Sequence, residues 1–567
     1  MDKRLSFFLI LLTFSLLSVA QKKSDIPVSL HGSIQSDILF PQKDSVIIPS
    51  DQYEKLYKQT ALTNTYVDLN LLSEYVEAGT RFEFLKYPLP GFDADFAGWG
   101  FPFFYVTGKY KKSKLTLGDF YDQFGSGLIF RTYEDRSLGI DNSLRGARLL
   151  LEPYKGMHIK FLGGRQRRYW AHNKSLVWGG DMELNLDQWI KALNQSNTFL
   201  TIGGSFVGKH ENAGDSITDP TYQYYLNLPV NVGAYDFRAN LQKGNYTFLI
   251  EYAGKVNDPS HDNKYIYKNG NALLFSGSYA KSGLSALLQA KRSDNMSFQS
   301  KRTEDAILPS YINWLPAFTT QQTYALATLY PYATQPDGEW AFQGVFSYLF
   351  KPKTDLGGKY GTLVKLNVSH IRSIDKQYVV ADYNPYNENT AFLLRGTDGY
   401  TSSFFKFGKK LYYQDINLLI DKKISNDFKL NLMYLNQTID WGVVRNEAGI
   451  GVVKTNIFVA EGKYKLSKKT TLRSEIQYLN TRQDEGDWVA GLLELSVLPS
   501  FMFTVSDMYN AGETKIHYYK ALVSYTYRAN FIQFGYGRTR AGQDCSGGVC
   551  RDIPASRGFT LSYNYNF

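Results

Sequence analysis

The sequence predicts an all-β protein: a transmembrane, antiparallel, up-and-down β-barrel of about 24 strands (22–26), with long extracellular loops and short periplasmic turns. Three observations carry the prediction. The last eleven residues alternate strictly between apolar and polar, the first twenty have the layout of an export signal, and between them short turns alternate with long polar connections.

In the carboxyl-terminal segment Phe559, Leu561, Tyr563, Tyr565 and Phe567 occupy every second position, with Thr560, Ser562, Asn564 and Asn566 between them. A β-strand sends successive side chains to opposite faces, so this segment has one apolar wall and one polar wall. It ends on an aromatic residue, and so resembles the closing-strand signal by which bacterial outer-membrane barrels are recognised for insertion.

At the other end Lys3 and Arg4 precede an apolar run from Leu5 to Leu17, then Ser18-Val19-Ala20 and Gln21. These are the charged, apolar and small-residue regions of a signal peptide spanning 1–20, with cleavage expected after Ala20. No cysteine stands at the cut, which argues against a lipoprotein. No later run reaches the roughly 18 apolar residues of a transmembrane helix. An exported chain without helical spans stays in a membrane only as a closed barrel, so residues 21–567 read as a single barrel domain.

Composition agrees. Aromatic residues make up 16% of the chain, with 43 Tyr and 37 Phe, yet the chain is polar on average. A lipid-facing band, aromatic girdles and a polar interior combine to that mixture. The formal charge is +10, and the basic residues are spread without Lys/Arg tracts. That argues against nucleic acid; outer-membrane lipid, above all polyanionic lipopolysaccharide, is the expected partner of such a surface.

The hairpins follow in order. Tyr235 to Leu241 and Tyr246 to Val256 flank Gln242-Lys243-Gly244-Asn245; Ala272 to Tyr279 and Leu284 to Ala290 flank Lys281-Ser282-Gly283. Leu411 to Asp421 precedes Phe428 to Leu435, and Val453 to Tyr464 precedes Thr471 to Leu479. Trp488 to Leu498 turns at Pro499-Ser500 into Met502 to Tyr509, and His517 to Tyr527 turns at Arg528-Ala529-Asn530 into Ile532 to Gly537. With a first strand at Val28 to Phe40, the even count leaves both termini in the periplasm. The long connections expected outside are 41–61, 86–100, 122–144, 165–174, 207–231, 257–270, 294–339, 373–408, 438–452 and 540–555. Loops as long as 294–339 and 373–408 are usually functional or folded over something.

Cys545 and Cys550 are the only cysteines and flank Ser-Gly-Gly-Val. In an exported chain that spacing predicts a disulfide stapling the tip of the last outer loop. The seven histidines are too scattered to hold a metal, and no nucleophile elbow occurs. Asp484, Glu485 and Asp487 read as a solvated acidic turn. The chain offers no catalytic constellation, so neither an enzymatic activity nor a cofactor is expected.

The densest unusual segment runs from Gly118 to Arg148. Leu115 and Leu117 set an outward phase that Asp119 would share, and a carboxylate there predicts a bulge or an inward departure near Gly118. Asp119, Asp122, Arg131, Glu134, Asp135, Arg136, Asp141, Arg145 and Arg148 would then form a lumen plug with paired charges. Arg165, Arg167 and Arg168 beside Tyr169 and Trp170 form either a basic-aromatic rim suited to lipid phosphates or an ordinary solvated loop.

Tyr75-Val-Glu-Ala-Gly-Thr-Arg-Phe-Glu-Phe84, Pro88-Leu-Pro-Gly91, Gly98-Trp-Gly100 and the stretch from Gly118 to Arg148 resemble an uncharacterised Bacteroidota outer-membrane barrel family, known as a domain of unknown function. The resemblance is densest over about 75–150. It implies compartment, phylum and barrel fold, without an activity.

Barrels of about 22 strands enclose a lumen that is normally plugged, so about 24 strands demand occlusion. The sequence favours, narrowly, a non-enzymatic scaffold whose long aromatic loops dock other outer-membrane or surface proteins in envelope assembly or secretion. The alternative is a porin-like channel or transporter for small polar solutes, with 118–148 as its constriction.

Overall fold

The computed structural model describes residues 28–212, 216–304, 310–384, 388–445, 451–546 and 549–567. The expected signal peptide lies outside them. Twenty-four strands form one antiparallel sheet, with the two-residue segment Ala171–His172 as its 25th member. The first seven are β1 (Ser29–Pro41), β2 (Leu62–Leu72), β3 (Val76–Leu85), β4 (Gly98–Tyr110), β5 (Ser113–Phe120), β6 (Leu144–Tyr154) and β7 (Met157–Arg168).

The sheet closes on itself. The last strand, Ser556–Asn566, pairs with Asn530–Thr539 on one side and with β1 on the other, from Ser33↔Asn566 to Pro41↔Gly558. Closure removes the unpaired edges that an open sheet would leave. All six hairpins read from the sequence are present with the expected partners.

Alternation sorts the side chains. Phe237, Ile476 and Phe534 point outward and are exposed, whereas Glu251, Asp415 and Gln477 point inward and are buried. One end of the barrel carries eleven connections, most of them tight turns, and the other carries twelve, most of them longer. Exposed Tyr110, Tyr154, Tyr246, Tyr348, Tyr464 and Tyr527 stand at the turn end.

Two connections do not stay outside the wall. Residues 121–143, and 295–304 with 310–337, fold into the lumen, and their apolar side chains form one buried cluster with inward residues of the wall. The second of these corrects an expectation, since 294–339 was to face outside. Its length and polar residues placed it among the outer connections, but Phe298, Ile312 and Leu326 are completely buried. The remaining long loops cap the loop end, where Ile266, Trp340, Ile374, Leu394 and Tyr400 form a separate apolar cluster.

Candidate functional site

The filled lumen is the candidate site. Its two inserts interlock through the backbone: Arg131 N–H donates to the Ile312 carbonyl (2.8 Å) and Trp314 N–H to that of Gly127 (2.9 Å). Each is also tied to the wall. Ser126 N–H donates to Glu251 on the strand Tyr246–Lys255 (2.9 Å). Leu326 N–H donates to Gln477 (2.9 Å), and Gln437 donates to the Tyr330 carbonyl (2.7 Å). The longer insert therefore reaches strands well around the barrel from its own.

Charge pairs hold the shorter insert. The Arg81 guanidinium, on the inner face of β3, contacts Asp68 (2.7 Å), Glu134 (2.9 Å) and Asp141 (3.0 Å). Arg136 bridges Asp68 (2.8 Å) and Glu134 (2.6 Å) and stacks on Tyr66. Arg167 joins Asp141 (2.6 Å) to Glu83 (2.7 Å). Asp122 receives Arg148 (3.1 Å) and Lys160 (3.0 Å). Burial alone would raise the Asp141 carboxyl; Arg167, Arg81 and the Ser143 N–H outweigh it and hold it below the ordinary range. Such a network fixes geometry more than it adds net stability, because desolvation offsets much of the attraction.

Four of the plug residues sit otherwise than expected. Asp119 and Arg145 are not in the lumen. The β5–β6 ladder continues through Asp119↔Arg145 to Phe120↔Leu144, so both stay on the outer face, where Arg145 binds Asp119 (2.8 Å) and stacks over Phe104. The backbone departure expected at Gly118 is there, with φ +108°, but it leaves the Asp119 carboxylate to accept from Phe104 N–H (2.9 Å) on the outer side. Arg131 has no carboxylate partner among the described residues; it lies between Tyr133 and Trp314, and burial lowers its pKa. Asp135 caps its own turn through Ser137 and Leu138 N–H.

The basic-aromatic rim is mostly consumed internally. Arg167 is buried, Arg168 grips Glu304 (2.8 Å), Tyr169 packs edge-on against Phe96, and Trp170 donates to the Phe96 carbonyl (3.0 Å). Arg165 alone is exposed. At the carboxyl-terminus Phe559 is exposed, and Leu561, Tyr563, Tyr565 and Phe567 are half-buried on the outer face. Cys545 and Cys550 are disulfide-bonded. The acidic turn is used structurally: Asp484 accepts from Tyr330, Glu485 faces Arg540, and Asp487 accepts from Tyr478. Among the described residues no cluster of ligating side chains suits a metal.

Sequence reasoning missed two features. Arg81, Glu83 and Asp68 are the wall side of the network, and strand alternation alone made them ordinary inward positions. The other is an imbalance of filling. The buried apolar cluster runs from Phe120 to Ala490 and takes no buried member from the strands between 501 and 566 or from β1. On the inner face of that sector Lys520 and Thr560 are exposed, and Gln35, Asp37, Ser562 and Asn564 are half-exposed. Above it, at the loop end, opens a crevice of about 710 Å³ bordered by Phe92, Trp441, Glu485, Arg540 and Arg551.

No curated protein matches the chain. Among solved structures, the translocation pore of the P pilus usher PapC is similar over 95% of this chain and 99% of that one, at 9% identity and a TM-score of 0.42. The siderophore receptor PirA from Pseudomonas aeruginosa is similar over 97% of this chain and 82% of that one, at 9% identity and a TM-score of 0.39. The copper transporter OprC is similar over 96% and 82%, at 8% identity and a TM-score of 0.39. Matched over residues 1–567, the chain belongs to the family of unknown function DUF6029.

Proposed function

We propose that the protein is a non-enzymatic integral outer-membrane barrel of the Bacteroidota that passes a small polar solute along one side of its lumen. The exposed apolar band, the tyrosines at the turn end and the contrast of turns with loops support this placement, with turns and termini in the periplasm. The observation that carries the conduit reading is the one-sided filling: the cluster takes no buried member beyond Ala490, with half-buried Met508 and Tyr518 at its edge, while Lys520 and Thr560 remain exposed inside the wall. Hydroxyl and amide side chains on that sector, with one cation at Lys520 and one carboxylate at Asp37, suit a hydrated, uncharged or zwitterionic solute. The need for a partner to block the lumen, which favoured the scaffold, is weakened because the chain supplies its own filling.

Reconstitution of Thr560→Cys in planar bilayers tests the conduit. A charged methanethiosulfonate reagent should cut its conductance, while Ala341→Cys, buried under the plug, stays inert. A silent wild-type protein overturns the reading. One observation favours the scaffold instead: Tyr222, Tyr224, Tyr225 and Phe405 stand exposed on the loops. Loss of a specific co-purifying envelope protein on their replacement would support that role.

A further inference from the structure

β5 and β6 leave the wall at Phe120 and Leu144, where the chain turns into the lumen, while β4 and β7 continue toward the loop end. A notch therefore opens on the outer surface between β4 and β7. The corner at Tyr169–His172 leans over it, with the Trp170 ring against the bare backbone of Gly98. What remains is a pocket of about 190 Å³ bordered by Phe101, Pro102, Arg145, Arg167, Trp170 and His172; Arg167 is already paired with Glu83 and Asp141, and Arg165 stands beside the pocket rather than in its lining.

The chemistry of the notch is cationic. Arg145 and Arg165 are directly opposite across one rung of the β6–β7 ladder, both on the outer face. Like charges in that relationship repel, and one carboxylate stands against the two. Asp119 engages Nε and Nη2 of Arg145, leaving Nη1 without a partner among the described residues. Arg165 is exposed and has no ion pair there. His172 Nε2 is buried and faces Asp119 at 3.7 Å, too far for a hydrogen bond of ordinary length, with no nearer partner among the described residues. Trp99, Phe101 and Phe104 stand exposed around the notch. Aromatic rings at the edge of an apolar band lie at headgroup level.

We propose that this notch binds the phosphate of an acidic membrane lipid, with Arg165 and Nη1 of Arg145 as charged donors, His172 as a third donor, and the acyl chains lying along the aromatic outer wall. Apolar surroundings favour a lipid over a free anion, because the ligand that satisfies both guanidinium and rings carries both a phosphate and hydrocarbon.

The test is native mass spectrometry of the full-length protein in mild detergent, titrated with phosphatidic acid, phosphatidylcholine or inorganic phosphate. Phosphatidic acid should be retained in preference to phosphatidylcholine, and Arg165→Glu should weaken its retention about tenfold. Arg165→Lys should recover part of it. Because Arg165 is exposed and unpaired, the heat-modifiable barrel should persist in both variants. Equal retention by wild type and Arg165→Glu overturns the proposal. Displacement of phosphatidic acid by inorganic phosphate at equal concentration would make the notch a free-anion site and also overturn it.

Discussion

Phe567 and Gly32 exchange two backbone hydrogen bonds, 2.9 and 3.0 Å long, so the last residue of the chain is locked to the start of the first strand. The Phe567 ring lies where a side chain on Gly32 would be. The barrel seam thus depends on an aromatic terminus and on the absence of a side chain opposite it.

Gly32→Val should impair closure by about 1–3 kcal/mol, the usual cost of forcing atoms into a packed contact. The folded, heat-modifiable fraction on gels should fall. Phe567→Asp should also lower it. A normal folded fraction in both variants would mean that the seam forms without this contact.

Arg81 faces three carboxylates at once, and Arg81→Met leaves Asp68, Glu134 and Asp141 without their shared cation. Removing one partner of a buried pair costs about 3–5 kcal/mol. Residues 121–143 should become sensitive to protease in detergent while the wall keeps its strand content by circular dichroism.

The pH dependence follows from Asp141, whose carboxyl is held low against burial by Arg167, Arg81 and Ser143 N–H. A folded pKa below the unfolded one gives stability that is present above the unfolded value, about 3.9 for Asp, and is lost as pH falls through the folded value. The shorter insert should therefore stay protected from pH 7 down to about 5 and loosen only below about 4. Hydrogen exchange of residues 121–143 across that range measures it.

Cys550 borders the crevice at the loop end, and its bond to Cys545 closes a hairpin in the last loop. Maleimide applied to intact cells should label neither thiol until a reductant is added. Labelling without reductant would show that the two cysteines are free.

The wall was legible because lipid demands apolar side chains at every second position and the turns punctuate them. Phe559 to Phe567 and the hairpin at Gly244 needed nothing but that rule. The filling was not legible. An inward position of a wide barrel can meet water or another segment, and Arg81 or Gln477 suits either. The insert 295–337 did carry a signal in Phe298, Ile312, Leu326 and Tyr330, too many large apolar groups for a solvated loop, but it was outweighed by the polar residues around them. Asp119 was misplaced for a different reason: the ladder ran two rungs past Gly118, and a salt bridge with Arg145 made an outward carboxylate tolerable.

Each filling segment leaves and rejoins the wall at directly opposed residues, Phe120↔Leu144 for one and Asp294↔Gly338 for the other. Neither insert sets the register of the strands that bear it. Both could in principle be excised and the cut ends joined by a tight turn, since two residues suffice between antiparallel neighbours. The strand ladder of the wall is thus continuous without its contents, and bore width is a property that can be edited at two matched rungs without redesigning a single strand, although the interlocked inserts would have to be removed together.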